Sequence, residues 1–149
     1  MNLKETLFKQ CEAYVNNRLQ TVEDIMLDNQ KALQSETKSS AGDKHETGRA
    51  MLQLAMEKAS QQLAGIRQMK EILAKTDILK TSKTGRLGSV VYTNKANYFL
   101  SISAGKLTAF GNPFFAISVS SPIGKLLLGK QENDVIVFNG NTIQVVEIV

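Results

Sequence analysis

Apolar residues recur every three or four positions through the first half of the chain, on both sides of a short polar segment at residues 39–49. The seam before that segment is interrupted only at Asn29 and comprises Phe8, Cys11, Val15, Leu19, Val22, Met26 and Leu33. The seam after it is interrupted only at Gln62 and comprises Leu52, Ala55, Ala59, Ile66, Met69 and Leu73. Such narrow seams are typical of helices that pair as a coiled coil. The polar break favours a single chain that folds back as an antiparallel helical hairpin over a dimeric coiled coil.

Beyond residue 80 the spacing of apolar residues changes from that of helices to that of short β-strands. The predicted strands are rich in β-branched and aromatic residues and comprise residues 86–93, 97–103, 114–119, 135–138 and 142–149. Asn139 and Gly140 separate the last two strands and predict a type I′ hairpin turn, because both residues tolerate a positive φ. One short helix is expected in the segment 120–130, with Ser121 as its N-cap, Pro122 in its first turn and Gly129 just past its end.

These patterns predict an α+β protein with two domains. Residues 1–80 form the coiled-coil hairpin, and residues 81–149 form a small domain with an antiparallel sheet and one short helix. Residues 81–86 are interpreted as a linker between the two domains. Each long helix has one narrow apolar seam, so we expect a two-helix rod and a monomeric protein. On the seam, Cys11 is expected to be a core residue, and Asn29 is expected to fix the register of the two helices.

Composition excludes few functions. No apolar run approaches the roughly 20 residues that a membrane helix needs, so no membrane partner is expected. The first ten residues have no apolar core of the kind that a secretory signal contains. The single cysteine cannot form an internal disulfide, which favours a cytoplasmic setting. The net charge of +4 is small for a dedicated DNA-binding protein.

The polar segment contains two carboxylates three residues apart, Asp43 and Glu46, at the predicted start of the second helix. Residues at this spacing lie on one side of a helical turn, and Mg²⁺ is often held by one or two protein carboxylates. The same spacing also fits a capping box headed by Asp, which would only satisfy backbone N–H groups at the helix start. Spacing alone leaves both interpretations open. Neither a phosphate-binding loop nor a zinc-ligand spacing occurs in the sequence.

Two motifs resemble the GreA and GreB family of bacterial transcript-cleavage factors. The segment SSPIGKLLLGKQENDVIVF (120–138) follows the family's C-terminal pattern of SPI/L, LxGK and alternating valines. The segment GDKHETGRA (42–50) matches the family's tip motif, GDxxENAEY, at Gly42, Asp43 and Glu46. Residues 47–50 read Thr-Gly-Arg-Ala where the family has Asn-Ala-Glu-Tyr. The chain therefore resembles a divergent member of the family.

The resemblance implies an accessory factor of RNA polymerase, not an enzyme in its own right. In this family an FKBP-like domain docks at the secondary channel of the polymerase, and the helical hairpin carries the tip acids to the active site. There Asp43 and Glu46 would help hold a catalytic Mg²⁺, which activates a water molecule to cut backtracked RNA. The polymerase-docking residues implied by the C-terminal motif are Ser121, Pro122, Ile123, Gly124, Lys125 and Gly129.

Other residues near the tip are candidates for contact with the 3′ end of the nascent RNA. They are Lys38, Lys44, His45 and Arg49. The plainer interpretation of each is a solvated side chain in a charged turn. Farther along the chain, Phe110, Phe114 and Phe115 form either domain core or an exposed docking patch, and we expect at least two of the three in the core. The methionines of the second helix are also expected to fill core.

Two other functions stay open at the level of sequence. The altered residues 47–50 fit a protein that occupies the polymerase channel and inhibits or modulates transcription without RNA cleavage. A helical hairpin joined to a small domain also fits an adaptor or holdase that is unrelated to polymerase.

Overall fold

The computed structural model describes the backbone at residues 2–38 and 42–149, and side chains at residues 2–35 and 47–149. The helices in these ranges are α1 (Leu3–Lys38), α2 (Gly42–Lys75) and α3 (Pro122–Leu127). The strands are β1 (Val90–Thr93), β2 (Asn97–Ser101), β3 (Gly105–Ala109), β4 (Asn112–Ser118), β5 (Val135–Phe138) and β6 (Asn141–Ile148). Two long helices thus precede a sheet with one short helix, which confirms the predicted α+β class.

The chain forms two compact units, and the smaller one, Val15–Met69, is helical throughout its described residues. Its best-buried apolar side chains all lie on the predicted seams and are Val15, Val22, Ala59 and Ile66, each 5% exposed or less. A single helix in water cannot bury its own side chains to this extent. Within this unit α1 and α2 therefore pack on each other through the seams, as the spacing predicted.

Parts of the two seams differ from the prediction. Gln62 is exposed, and its neighbour Leu63 is half-buried beside the seam. Met51 is 67% exposed, so the expectation that the methionines of the second helix fill core is wrong at this position. Asn29 is half-buried, and its amide nitrogen Nδ2 is buried without a hydrogen-bond partner among the described residues. A buried N–H group without a hydrogen-bond partner lowers the stability of the fold. A polar residue on a seam at such a cost is consistent with the predicted role of Asn29 in fixing the register of the two helices.

The larger unit combines Met1–Tyr14 with Lys70–Val149 and contains a six-stranded sheet in the order β3-β4-β2-β1-β6-β5. Neighbouring strands are antiparallel, except that β2 and β4 are parallel. The prediction of a fully antiparallel sheet is wrong at this pair because the sequence pattern missed β3. This strand, GKLTA, has one β-branched residue and therefore a low strand propensity. The chain reverses direction before β3 and again after it, so β4 runs beside β2 in the same direction as β2.

Both faces of the sheet are covered in part. Helix α3 packs on one face over a buried cluster of Val91, Leu100, Leu127, Ile136, Ile143 and Val145. The helical residues Leu7, Cys11 and Leu73 are also buried in this unit, which confirms Cys11 as a core residue. The hydroxyl oxygens of Thr76 and Ser101 lie 3.1 Å apart and join the segment after α2 to β2. The predicted domain boundary after residue 80 stays a prediction.

The first turns of α1 also close one edge of the sheet. The side-chain amide of Gln10 donates from Nε2 to the carbonyl oxygen of Thr108 on β3, at 2.7 Å. The backbone N–H of Thr108 donates in return to Oε1 of Gln10, at 3.3 Å. The outward backbone groups of Thr108 are thus satisfied by a side chain, which blocks strand addition at this point of the edge.

The segment 81–86, predicted as a linker, is fixed to the sheet domain. The Gly85 N–H donates to the carbonyl oxygen of Lys130 at 2.8 Å, and the Gly129 N–H donates to that of Gly85 at 2.7 Å. A Cβ atom on Gly85 would lie closer than 3.0 Å to the backbone oxygen of Leu127. The linker prediction is wrong because glycine here permits a close backbone approach, and is not a sign of flexibility.

Two hairpin turns share one left-handed geometry but use different residues. Asn139 and Gly140, with φ of 52° and 78°, join β5 to β6 and confirm the predicted type I′ turn. Phe110 and Gly111, with φ of 52° and 79°, join β3 to β4. Asn is favoured at the first of these positions, whereas a bulky residue with positive φ is uncommon.

Candidate functional site

The tip acids Asp43 and Glu46 lie in the first turn of α2, which begins at Gly42. Their side chains fall outside the described residues, as do those of three further predicted contacts, Lys38, Lys44 and His45. Residues 39–41 lie outside the described backbone, and the described part of α2 places Asp43 and Glu46 on one helical turn. The metal site and the capping box therefore both stay predictions.

The helical backbone defines how the two acids are spaced. Residues three apart on a helix have Cβ atoms about 5–6 Å from each other, close enough for two carboxylates to approach one ion. Arg49 is exposed and follows Glu46 by the same interval, so a cation neighbours the acids one turn later. No group of three or more metal-ligating residues occurs where the structure describes side chains. The side chains of Asp43 and Glu46 lie outside that range, so their metal site stays a prediction.

The predicted docking segment is a short helix whose start is held by Ser121. The Ser121 hydroxyl donates to the carbonyl oxygen of Ser118 at 2.7 Å and accepts from the Gly124 N–H at 3.1 Å. Pro122 occupies the first turn, where its missing N–H costs no hydrogen bond. The helix and its N-cap are therefore confirmed, and Ser121 has a structural role that is independent of any partner.

The six predicted docking residues divide into packed and exposed positions. Gly124 is buried, and a Cβ atom there would lie closer than 3.0 Å to the carbonyl oxygen of Ser118. Ile123 is half-buried against the apolar cluster under α3. Pro122, Lys125 and Gly129 are exposed. Pro122 and Lys125 are three residues apart on one side of α3, and Gly129 follows the end of the helix. A partner of α3 would meet these three residues.

The expectation that two of the three phenylalanines lie in the core is wrong. Phe114 is 2% exposed, but Phe115 is 38% exposed and Phe110 is 68% exposed. Successive residues of a strand point to opposite faces, so Phe114 and Phe115 on β4 cannot share one core. The Phe114 ring meets Tyr92 edge-on at 6.0 Å, and the Phe115 ring meets Tyr98 at 6.3 Å.

Charge is unevenly distributed along the second half of the chain. Residues 131–149 have three acidic side chains and no basic one, whereas residues 81–130 have no acidic side chain. The basic residues of that stretch are Lys83, Arg86, Lys95, Lys106, Lys125 and Lys130. The net charge of the chain is small although every charged residue between 81 and 130 is basic. A count of charged residues by segment shows this from the sequence alone.

Two buried titratable groups in the larger unit are structural. Burial raises the pKa of Cys11 to about 12, so the thiol stays protonated at neutral pH and is a poor nucleophile. Burial is also the main cause that lowers the pKa of Lys4, with Arg86 acting in the same direction and Asp77 opposing. The Lys4 ammonium donates to the carbonyl oxygen of Lys80 at 3.3 Å.

No family model and no curated protein matches the chain. The resemblance to the GreA and GreB family therefore rests on the two motifs and on the paired long helices. In the described part of the chain, no helix combines the length and the apolar character that a membrane span requires.

Proposed function

We propose that the protein is a transcription elongation factor of the GreA and GreB type. It binds RNA polymerase at the secondary channel and stimulates cleavage of backtracked RNA. The observation that carries the proposal is the position of Asp43 and Glu46, in the first turn of the second of two long paired helices. A two-helix hairpin is slender, so it presents carboxylates at its turn with little bulk around them.

The chemistry of the two acids fits part of a magnesium site. Mg²⁺ prefers hard oxygen ligands, keeps several waters and often takes only one or two protein carboxylates. When bound, the ion supplies an activated water for attack on the RNA backbone. Asp43 and Glu46 would hold and orient it. Two carboxylates alone form a weak site in water, so acids of the polymerase would have to complete it, and the protein acts as an accessory factor.

The larger unit supplies the docking part of the proposal. A sheet with one short helix, the coarse architecture of the larger unit, supports the FKBP-like docking domain that the family resemblance implies. Pro122 and Lys125 on the exposed side of α3, with Gly129 just beyond its end, would contact the rim of the channel. Ser121 and Gly124 would act indirectly, because they hold α3 in place.

The test is a cleavage assay on a stalled, backtracked elongation complex from the same organism. Wild-type protein is compared with the double variant Asp43→Asn/Glu46→Gln, which removes both charges and keeps both shapes. The control is Asp28→Asn/Glu57→Gln, which removes two exposed carboxylates elsewhere in the same unit. Wild type and the control should shorten the RNA, and the tip variant should not. Shortening by the tip variant at the wild-type rate would refute the role of the acids.

Arg49 supports a second candidate function, occupancy of the channel without cleavage. Its exposed cation stands where the family has a glutamate, and opposes the charge that Asp43 and Glu46 would offer to Mg²⁺. Blocked RNA synthesis without shortening, by wild type and tip variant alike, would favour this function. Failure to bind polymerase in any form of the assay would favour an adaptor or holdase instead.

A further inference from the structure

Phe110 exposes an aromatic ring at a position that favours a different residue. The ring is 68% exposed, and the backbone has φ of 52° at the first position of a two-residue turn. The equivalent position in the β5–β6 turn is Asn139, the residue type that tolerates this conformation best. The fold therefore gains nothing from a phenylalanine here and bears a conformational cost. Strained, exposed residues of this kind point to a use outside the fold.

A second exposed aromatic ring lies on the same part of the sheet. Phe115 on β4 is directly opposite Lys106 on β3 and beside Tyr98 on β2. Side chains of paired residues project from the same face, so the three form one surface. Phe115 is 38% exposed and Lys106 is exposed, and the rings of Phe115 and Tyr98 lie 6.3 Å apart at 42°. Tyr98 is half-buried against the apolar cluster under α3, so Phe115 and Lys106 are the more exposed members of this surface.

The parallel pairing of β2 and β4 brings two turns to the same end of the sheet. Because the two strands run in one direction, both begin at this end. The turn before β4 contains Phe110, and the turn before β2 contains the exposed Lys95. Phe115 is three positions along β4 from Asn112 at its start, about 10 Å at the usual rise of a strand. Phe110 and Lys95 thus flank the surface of Tyr98, Lys106 and Phe115.

Every charged residue in the strands and turns of this surface is basic, since no acidic residue occurs between residues 81 and 130. The same unit also contains Glu5, Glu12 and Glu71 on its helical segments and Asp77 after α2. The acids of the C-terminal segment are Glu132 and Asp134 in the loop before β5 and Glu147 on β6, toward the edge of the sheet opposite β3. Glu147 pairs with Tyr92, whose ring packs on Phe114 at the other face. The surface therefore attracts anions.

We propose that Lys95, Tyr98, Lys106, Phe110 and Phe115 form a stacking platform that binds single-stranded nucleic acid. Exposed rings stack on bases of any sequence, and lysines beside them pair with backbone phosphates. A duplex keeps its bases stacked and offers no such faces to the rings. This activity is separate from the tip acids and does not depend on the proposed function.

The test measures binding of the full chain to a fluorescent, single-stranded oligouridine by anisotropy at several salt concentrations, with a matched duplex for comparison. Phe110→Asn removes the ring and restores the turn residue found at Asn139, so the fold is preserved. We expect it to weaken binding roughly five- to a hundredfold with no change in salt dependence. Lys106→Gln should instead lower the slope of log K against log salt by about 0.7. The matched controls are Leu79→Asn, which removes an 81% exposed apolar side chain, and Lys83→Gln.

Several outcomes would overturn the proposal. Wild-type affinity for oligouridine in Phe110→Asn would mean that binding is only electrostatic. Equal affinity of the wild type for single strand and duplex would have the same meaning. Absence of measurable binding at low salt would exclude the platform altogether. If the two variants lost affinity for polymerase and not for RNA, the surface would be a protein interface.

Discussion

Gly124 offers a direct test of how tightly α3 is held to the sheet. Replacement by alanine adds one methyl group, whose carbon would lie closer than 3.0 Å to the carbonyl oxygen of Ser118 and 2.9 Å from Oγ of Ser121. The first neighbour is backbone at the end of β4, and the second is the side chain that caps α3. Neither is the far end of a flexible side chain. The methyl group therefore fits only if α3 moves away from β4.

The cost of that movement follows from what α3 holds in place. Overpacking in a well-packed interior typically costs about 1–3 kcal/mol, and loss of a serine N-cap costs about 1 kcal/mol. Leu127, which is fully buried, would move with the helix. We expect Gly124→Ala to lower the free energy of unfolding by roughly 2–4 kcal/mol, a large part of the roughly 5–15 kcal/mol of a whole domain.

The measurement is urea unfolding followed by far-UV circular dichroism. At a slope of about 2 kcal/mol/M, the expected loss lowers the midpoint by roughly 1–2 M urea. Gly65→Ala is the matched control, since it adds the same methyl group within α2 and meets no atom within 4 Å. It should raise stability by about 0.5–1 kcal/mol, because alanine restricts the unfolded chain more than glycine does. A wild-type midpoint for Gly124→Ala would refute the tight packing of α3.

Three further predictions concern protonation, the domain boundary and the tip. The Cys11 thiol, with an ordinary pKa of 9.0 and a folded pKa of about 12, stabilises the fold fully below pH 9 and loses that contribution as pH rises from about 9 to 12. Urea unfolding across this range should show a loss of up to about 1.4 kcal/mol per pH unit for wild type relative to Cys11→Ala; parallel curves would contradict the burial of the thiol. An isolated fragment of residues 81–149 lacks the buried side chains of Leu7 and Leu73. In thermal unfolding, the free energy of unfolding of this fragment should be lower than that of the larger unit in the whole chain by at least roughly 3 kcal/mol. Equal stability would confirm an independent domain after residue 80. The tip variant Asp43→Asn/Glu46→Gln should unfold within about 0.5 kcal/mol of wild type, as mild surface changes do; a larger loss in urea unfolding would assign the acids to the fold.

The sequence specified those elements whose local chemistry is strong. The seams of the long helices, the cap at Ser121 and the turn at Asn139 and Gly140 each rest on residue types with a clear preference, and each is confirmed. Strand β3 has no such preference, so it was missed, and the parallel pair β2 and β4 was missed with it. The segment 81–86, which contains Gly85, was wrongly interpreted as a linker for a related reason. A sequence shows that glycine permits an unusual backbone, but not whether another backbone lies against it.

The candidate site was predictable only where chemistry and position coincide. Spacing sets Asp43 and Glu46 within one helical turn, which fits a metal site and a capping box equally, so their role as metal ligands stays a prediction. The exposure of Phe110 was not predicted, since the segment FGNPFF was expected to place at least two of its three phenylalanines in the core. Its exposure follows from a hairpin whose first strand the pattern did not reveal. By contrast, the separation of basic residues at 81–130 from acidic residues at 131–149 is visible in the sequence once charge is counted over shorter segments.

The larger unit draws on both ends of the chain, and this has a consequence for synthesis on the ribosome. Residues 1–14 leave the ribosome first, but the strands that share their core begin only at Val90. At about 5–20 residues per second, the stretch from Lys70 to Val149 takes roughly 4–16 s to make. Throughout that interval Leu7 and Cys11 lack their final neighbours, while the unit Val15–Met69 already has all of its residues. We expect the helical hairpin to form first, and the apolar N-terminal turns to be the part of the nascent protein most exposed to chaperones.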